Sequence, residues 1–288
     1  MRHDVIETTD AWMCRSRFRL PGAFHFYPSE ASAKYTDQHG VERVIGQCLR
    51  QSYYRISGQV TPTPHDAYTQ WIFATGKGVE EILVAQWKEM GIWVANNVKF
   101  YDQERNISGE IDIVLRDPIN DENYGVEVKS FAGYQATKTI IGNKHQKGVP
   151  KDSQLLQTLI YTDQCRAQLP YFKMVYYARD SGERTQYDIT LTPDGDVERP
   201  TVDGVMDYRF TMNDIYSRYA ELDHCLSAGQ MPPPDFELAW SPEKVELRKS
   251  LGEVSKSAYE KWQKNHKKNP IGNWECRYCS FTDHCWGG

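Results

Sequence analysis

The sequence contains no long hydrophobic run. No apolar stretch approaches the roughly 20 residues that a membrane-spanning helix requires, and the opening residues MRHDVIETTDAW lack the apolar segment of a signal peptide. We therefore expect a cytoplasmic protein with no membrane partner. The P-loop pattern G-x-x-x-x-G-K-[ST] is also missing, which excludes a nucleotide-driven motor of that class.

An excess of positive charge is missing as well. Lys and Arg number 34 against 39 Asp and Glu, a net charge of -5, so any contact with nucleic acid must come from local basic patches. One patch lies in the segment GNKHQKGVPKD, and from it we select Lys144, Lys147 and Lys151 as candidate phosphate contacts. A second patch comprises Lys261, Lys264, Lys267 and Lys268, where a solvated helix face is an equally good interpretation.

The cysteines favour metal binding over disulfides. There are seven, an odd number for a disulfide framework, and a reducing compartment favours metal ligation. Cys276-x2-Cys279-x5-Cys285 brings three thiols into a short segment, and a C-x2-C pair suits zinc or an iron-sulfur cluster. A fourth ligand must come from elsewhere, with His284 and Cys14 among the candidates.

The hydrophobic pattern predicts helices before the central part of the chain. Residues 1–40 have no sustained period, and we expect an irregular extension. Residues 41–57 carry apolar side chains at helical spacing, which predicts a helix with Cys48 facing inward. Asp66 is the predicted N-cap of a long helix that stops at Gly91.

The middle of the chain predicts an α/β domain. Three strand-like runs rich in β-branched and aromatic residues come first, then a helix and two more strands. These runs are IWVANNVKFYD, GEIDIVLRD and NYGVEVKSF, then SQLLQTLIYTDQCRAQ, then YFKMVYYARD and RTQYDITLTP. Further helices are predicted in TMNDIYSRYAELDHCLSAGQ, ended by Gly229, and in the charged tail from Glu243 to Lys268.

Three charged residues on adjacent predicted strands indicate a metal site. Glu127 and Lys129 are two residues apart, so they share one face of their strand. If the strand carrying Asp112 pairs with it, two carboxylates come together and repel unless a hard cation such as Mg²⁺ or Mn²⁺ lies between them. Lys129 beside that cation can orient a water or offset negative charge on a phosphate.

These residues resemble the D…(D/E)xK signature of the PD-(D/E)XK nuclease superfamily. Its RecB-like branch shows GxxD, ExK and QxxxY in this order, which is similar to Gly109 with Asp112, Glu127 with Lys129, and Gln157 with Tyr161. The resemblance implies a core with a central mixed sheet flanked by helices. It also implies that Asp112, Glu127 and the Val128 carbonyl hold the metal, that Lys129 serves the attacking water, and that Gln157 and Tyr161 position the site or the DNA backbone.

One position departs from the RecB-like pattern. That branch carries a His in a GxxxH element on the helix before the strands, and the matching residue after Gly76 is Glu80. Glutamate is an oxygen ligand suited to magnesium, so Glu80 becomes a candidate metal ligand. Glu81 is its competitor, because one helical step rotates about 100° and only one of the two faces the site.

The cysteine arrangement resembles the CRISPR-associated adaptation exonucleases and the AddB-type nuclease domains. In those proteins one Cys before the nuclease core and three after it hold a [4Fe-4S] cluster. Cys48 to Tyr54 looks like their C-x-R-x-x-Y-Y element, although the usual Pro after that Cys is absent. The resemblance implies a cluster on Cys48, Cys276, Cys279 and Cys285 that clasps the two ends of the fold, with zinc as the alternative.

Together the two resemblances imply a divalent-metal-dependent DNA exonuclease. We expect it to act on single strands or DNA ends, in recombination, replication or CRISPR adaptation, with protein partners from those processes. The expected domains are 66–210 for the nuclease core and 41–65 with 211–288 for the iron-sulfur subdomain. The alternatives are a structure-directed endonuclease and a catalytically impaired DNA-binding subunit, the latter because of Glu80.

Overall fold

The computed structural model describes residues 5–14, 25–266 and 268–287. The chain divides into two compact units, one of Met1–Gln47 with His65–Asp223 and one of Cys48–Pro64 with His224–Gly288. Part of the predicted N-terminal extension, residues 15–24, and Lys267 of the second basic patch lie outside the described residues.

The described chain contains nine strands and ten α-helices, with one short 3-10 helix at Pro28–Glu30. The strands are β1 Ser32–Thr36, β2 Glu42–Gly46, β3 Trp93–Asp102, β4 Ile107–Arg116, β5 Asn123–Phe131, β6 Phe172–Ala178, β7 Arg184–Asp194, β8 Val197–Val202 and β9 Val205–Met206. The helices are α1 Val5–Met13, α2 Leu49–Ser57, α3 Ala67–Glu89, α4 Tyr134–Ile140, α5 Asp152–Cys165, α6 Met212–Ala228, α7 Pro242–Ser250, α8 Lys256–Lys264, α9 Trp274–Arg277 and α10 Thr282–Trp286.

A seven-stranded mixed sheet organises the first unit. Its strand order is β3-β4-β5-β6-β7-β8-β9, and every neighbouring pair is antiparallel except β5 with β6. Parallel neighbours require a crossover connection, which α4 and α5 supply between β5 and β6. A mixed sheet flanked by helices is therefore present, as the sequence predicts, including the meander of β3, β4 and β5.

The strand β5 separates two layers of core because its side chains alternate. Val126 and Val128 pack with Leu83 of α3 in one hydrophobic cluster. Gly125, which precedes Val126 and so faces the opposite side of the sheet, pairs with Phe172, whose ring contacts Tyr161 of α5 at 6.1 Å between centroids. Helices α3 and α5 therefore cover opposite faces of the sheet.

Two predictions near the N-terminus are wrong. Residues 41–57 do not form one helix, because β2 pairs with β1 as a hairpin and Cys48 is the N-cap of the separate helix α2. Gly46 explains the break: its φ is +84°, and a Cβ there would lie 2.2 Å from the carbonyl oxygen of Ala31. The segment 1–40 is not irregular where it is described, since it contains α1 and β1.

The remaining predicted elements are present with small differences. Asp66 caps α3, its side chain accepting from the amide of Thr69 at 2.8 Å, and Gly229 follows α6 with φ at +63°. The helix α4 lies between β5 and α5, where no element is predicted, and β8 and β9 extend the sheet beyond the predicted strands. None of the described helices combines the length and apolar character needed to cross a membrane.

Replacement of Gly125 and of Gly78 by alanine should change the free energy of unfolding in opposite directions. A Cβ at Gly125 would lie 2.0 Å from the ring of Phe172, so we expect Gly125→Ala to lower the free energy of unfolding by about 1–3 kcal/mol. Gly78 lies inside α3 with no heavy atom within 4 Å of the added Cβ, and Gly78→Ala should raise it by about 0.5–1 kcal/mol. Urea denaturation measures both, and equal stability of the two variants would contradict the packing described.

Candidate active site and cysteine cluster

The predicted catalytic carboxylates lie where the sheet divides. Strands β4 and β5 pair from Arg116 with Asn123 to Ile113 with Val126, and their ladder ends there. Beyond that point β4 continues beside β3, and β5 continues beside β6. We call this opening the fork. The first side chains inside it are those of Asp112 on β4 and Glu127 on β5.

The backbone of β5 faces into the fork at Val128. Its amide donates to Oδ2 of Asp112 at 3.3 Å rather than to a strand neighbour on that side. The N–H and C=O of one strand residue point to the same side of the strand, so the Val128 carbonyl also points towards Asp112. That orientation fits the predicted metal ligand set.

Glu127 is a fully buried carboxylate inside the fork. Its side chain is 0% exposed, and Oε1 lies 2.5 Å from Nζ of Lys129. Within the described part of the chain Oε2 makes no hydrogen bond of acceptable geometry, and Asp112 is the other charged neighbour of this carboxylate. Burial raises the pKa of Glu127 to about 8, in spite of the nearby Lys129 ammonium. A buried carboxylate beside a second carboxyl group is suited to bind a hard cation.

The neighbouring charges respond to the same burial. Burial raises the pKa of Asp112, and the charge of Lys129 opposes that shift. Burial alone would lower the pKa of Lys129, but the charges of Glu127 and Asp112 outweigh it and the pKa is raised. The fork therefore holds one protonated amine beside two carboxyl groups whose pKa values are raised, and a bound divalent cation would favour the ionised form of both.

The helix α3 brings Glu80, not Glu81, to this group. Glu80 is half-buried, and burial followed by the charge of Asp112 raises its pKa, while Lys129 acts in the opposite direction. Glu81 is exposed. The geometry thus favours the register in which Glu80 is the helix ligand candidate.

An aromatic layer covers the α5 side of the fork. Gln157 Nε2 donates to the hydroxyl of Tyr161 at 2.9 Å. The Tyr161 ring lies between Phe100 and Phe172, at 5.7 Å and 6.1 Å between centroids. Burial and then the charge of Glu127 raise the pKa of Tyr161, so its hydroxyl stays protonated. Gln157 and Tyr161 therefore form a neutral hydrogen-bonded pair between the carboxylates and the aromatic core.

The glycine of the GxxD element has a steric role in this layer. Gly109 pairs with Phe100 across β4 and β3, and a Cβ at Gly109 would lie 2.3 Å from that ring. Only glycine lets the Phe100 ring lie over the strand, where it contacts Tyr161. The Gly109 to Asp112 spacing thus connects the aromatic layer to the carboxylate on the same strand.

Glu110 is a site neighbour that the sequence argument missed. It lies two residues before Asp112 on β4, so it shares the face of that carboxylate, and its charge contributes to raising the pKa of Asp112. Asn97 Nδ2 donates to Glu110 Oε1 at 2.6 Å, from a backbone with φ of +56°. The i, i+2 rule applied to Asp112 would have found Glu110.

The predicted DNA-contacting lysines are not equivalent. Lys147 Nζ contacts Asp203 at 2.6 Å and the carbonyl of Gln186 at 2.8 Å, so its charge is already partnered. Lys144 and Lys151 are exposed. Within this predicted patch Lys144 and Lys151 are therefore the better phosphate contacts.

The four predicted iron-sulfur cysteines line one pocket inside the second unit. These are Cys48, Cys276, Cys279 and Cys285, and Glu275, Phe236 and Trp286 line the same pocket. Burial and then the neighbouring Cys48 raise the pKa of Cys276 to about 11. Cys48 is held at the start of α2, where the next amide, that of Leu49, donates to Asp235 at 2.6 Å. Long-range folding therefore brings Cys48 to the C-x2-C-x5-C segment.

The other candidate ligands are not in this pocket. His284 and Cys14 are exposed, and neither lines it. Among the described residues, no group of three or more His, Cys, Asp or Glu side chains has metal-binding spacing as it stands. The chemistry of four thiols around one pocket nevertheless fits an iron-sulfur cluster or zinc.

Comparisons with known proteins do not assign this chain to a family. No protein-family model matches it. No curated protein matches it significantly. A solved structure described as "Crystal structure of SSO0001" is 14% identical over 99% of this chain and 98% of that chain, with a TM-score of 0.44. A likeness at this TM-score leaves the function to the geometry of the site itself.

Replacement of Glu127 should change how stability depends on pH. The pKa of Glu127 is about 8 in the folded protein against 4.5 for the free group, so the folded state binds more protons than the unfolded state between those values. The buried carboxyl therefore costs stability as pH rises from 4.5 to 8. We expect Glu127→Gln to match the native protein at low pH and to become the more stable one towards pH 8, by at most about 1.4 kcal/mol per pKa unit.

Urea denaturation at several pH values, with chelator present, measures this difference. Glu81→Gln is the control, because it removes an exposed carboxylate from the same helix and leaves the buried Glu127 in place. A Glu127→Gln protein that loses stability relative to the native protein as pH rises would show that pairing with Lys129 outweighs burial.

Proposed function

We propose that the protein is a divalent-metal-dependent deoxyribonuclease, acting as an exonuclease on single-stranded DNA or DNA ends. The observation that carries this proposal is the fully buried Glu127 carboxylate, whose Oε1 pairs with Lys129 and which lies beside the second carboxyl group, that of Asp112. A structural ion pair does not need a second carboxylate, a half-buried Glu80 and a strand amide directed at Asp112. Metal-dependent phosphodiester hydrolysis uses several carboxylates that hold a cation next to a positively charged side chain.

The residues have separable roles under this proposal. Asp112, Glu127, the Val128 carbonyl and Glu80 would hold Mg²⁺ or Mn²⁺, which when bound polarises the phosphate and activates a water. Lys129 carries a positive charge at the same place, where it orients the water and offsets negative charge on the phosphate. Gln157 and Tyr161 fix the α5 side of the site through their hydrogen bond.

The fold supports the proposal through the fork. A PD-(D/E)XK core has its acidic residues on two adjacent strands with a helix on either side, and β4 and β5 between α3 and α5 are arranged in that way. We infer that this unit is such a core. The biological setting follows from the resemblance: recombination, replication or CRISPR adaptation in the cytoplasm, with protein partners from those processes.

We propose further that Cys48, Cys276, Cys279 and Cys285 bind a [4Fe-4S] cluster, with zinc as the alternative. The support is that all four line one pocket although Cys48 is remote from the others in sequence. When bound, such a cluster would tie α2 to the C-terminal segment of the second unit. Its contribution is then structural, since loop closure over so long a segment stabilises the folded state.

Loss of the site residues should abolish nuclease activity. We expect Asp112→Ala, Glu127→Ala and Lys129→Ala each to lower the cleavage rate of end-labelled single-stranded DNA, with Mg²⁺ or Mn²⁺, by at least about 100-fold. Glu80→Ala should raise the metal concentration needed for half-maximal rate.

The matched control is Glu81→Ala, because the exposed neighbour should leave both rate and metal dependence unchanged. Labelling either end also reports polarity. A native protein that binds DNA without cleaving it under any metal would support the impaired DNA-binding alternative, and normal cleavage by Lys129→Ala would remove the proposed site.

The cluster proposal predicts colour and iron. Anaerobically purified protein should be brown, contain iron and sulfide, and bleach on oxidation, whereas zinc would leave it colourless. Cys48→Ala should lose iron as completely as Cys279→Ala does, because both thiols line the same pocket. Cys165→Ala is the control, since this buried thiol lies in α5. Iron retained in Cys48→Ala would exclude Cys48 as a ligand.

A further inference from the structure

Three side chains on one face of α3 differ in their surroundings. Phe73, Glu80 and Trp87 are spaced by seven residues, which is close to two helical turns, so they lie on the same face of the helix. Trp87 packs on the core cluster of the sheet. Glu80 lies at the fork, where the charges of Asp112 and Lys129 act on it. Phe73 is 55% exposed.

The exposure of Phe73 arises because α3 extends past the core. The α3 members of the core cluster begin at Val79, and the first half of the helix has no buried residue. Gly76 passes close to the end of β5, since a Cβ there would lie 3.3 Å from the hydroxyl of Ser130. Ser130 follows Lys129 directly, so the exposed half of α3 begins beside the fork.

The exposed half of this face carries an aromatic ring and positive charge. Lys77, one turn from Phe73, is exposed, and its charge acts on Glu80. Arg179 donates to the carbonyl of Ile72 at 3.1 Å, which brings a second cation to the same end of α3. An aromatic ring with neighbouring cations is the combination that binds unpaired bases and their phosphates.

We propose that Phe73 and Lys77 form a subsite for unpaired nucleotides, which receives the DNA strand next to the bond cleaved at the fork. The inference rests on the proposed nuclease function and adds to it a residue that selects single-stranded DNA. Phe73 stacks on a base, and Lys77 contacts a phosphate. Seven residues of helix span about 10 Å, so the stacked base lies within about three nucleotides of the metal site at roughly 3.4 Å per nucleotide.

Of the two other exposed aromatic residues in this half of the helix, Trp71 donates to Asp10 at 2.8 Å, and Tyr68 provides a control. Tyr68 is 74% exposed, more than Phe73. It is five residues from Phe73, so at about 100° per residue it points to a different side of α3. Substitution of Tyr68 therefore tests whether any exposed aromatic ring on α3 has the same effect.

The test measures DNA binding without cleavage. Fluorescence anisotropy with labelled single-stranded DNA, on full-length protein carrying Lys129→Ala so that the probe is not degraded, gives the affinity. We expect Phe73→Ala to weaken binding by about 5- to 150-fold, the range of one lost base stack. Phe73→Trp should retain the affinity, and Tyr68→Ala should leave it unchanged.

A second set of probes locates the stacked base. A series of oligonucleotides that each lack one base should show a single position at which the loss weakens binding, and Phe73→Ala should be insensitive to that position. Fully paired duplex should show no dependence on Phe73. An equal loss for duplex and single strands, or for every abasic probe, would overturn the proposal because Phe73 would then act only through packing.

Failure of this inference and failure of the nuclease proposal are distinguishable. If the native protein cleaves DNA and Phe73→Ala binds single strands as tightly as its parent, the subsite is wrong, the nuclease stands, and the exposed face is a protein-binding surface instead. If the native protein neither binds nor cleaves DNA, both proposals fall.

Discussion

Burial of the Glu127 carboxylate in the fork is the constraint on which the rest of the site depends. A carboxylate with no exposed surface lowers stability unless a positive charge is nearby. Lys129 supplies one positive charge and Asp112 adds a further negative charge, so the Glu127 carboxyl retains a proton near neutral pH, which a bound cation would replace. The fold retains a locally unfavourable arrangement, which is common where function needs it.

The fork exists because the two halves of the sheet diverge, and neighbouring packing keeps them apart. On one side, Val126 and Val128 are anchored to α3 by the hydrophobic cluster. On the other, the ring of Tyr161 is held between Phe100 and Phe172, which lie over Gly109 and Gly125. Small residues on the strands and large rings above them thus pack the α5 side of the fork.

The second unit also buries groups whose charged form is costly there, in this case thiols. Its thiols are buried around one pocket, and burial raises the pKa of Cys276 and Cys279, which disfavours the thiolate form that binds metals. A bound cation reverses that preference. Both candidate centres therefore collect groups that are costly to bury alone, and a bound metal would offset that cost in each.

The sequence by itself determined the strands β3 to β7, the helices with clear caps, and the spacing of Asp112, Glu127 and Lys129, because periodicity and i, i+2 placement are local properties. It failed at Gly46 and Cys48, where tertiary contact with Ala31 replaced the helix that the apolar spacing predicts. Only the tertiary structure decided between Glu80 and Glu81, brought Cys48 to the C-terminal thiols, and left Phe73 exposed beside the fork. These outcomes depend on which segments meet in space, a property that local spacing along the chain does not contain.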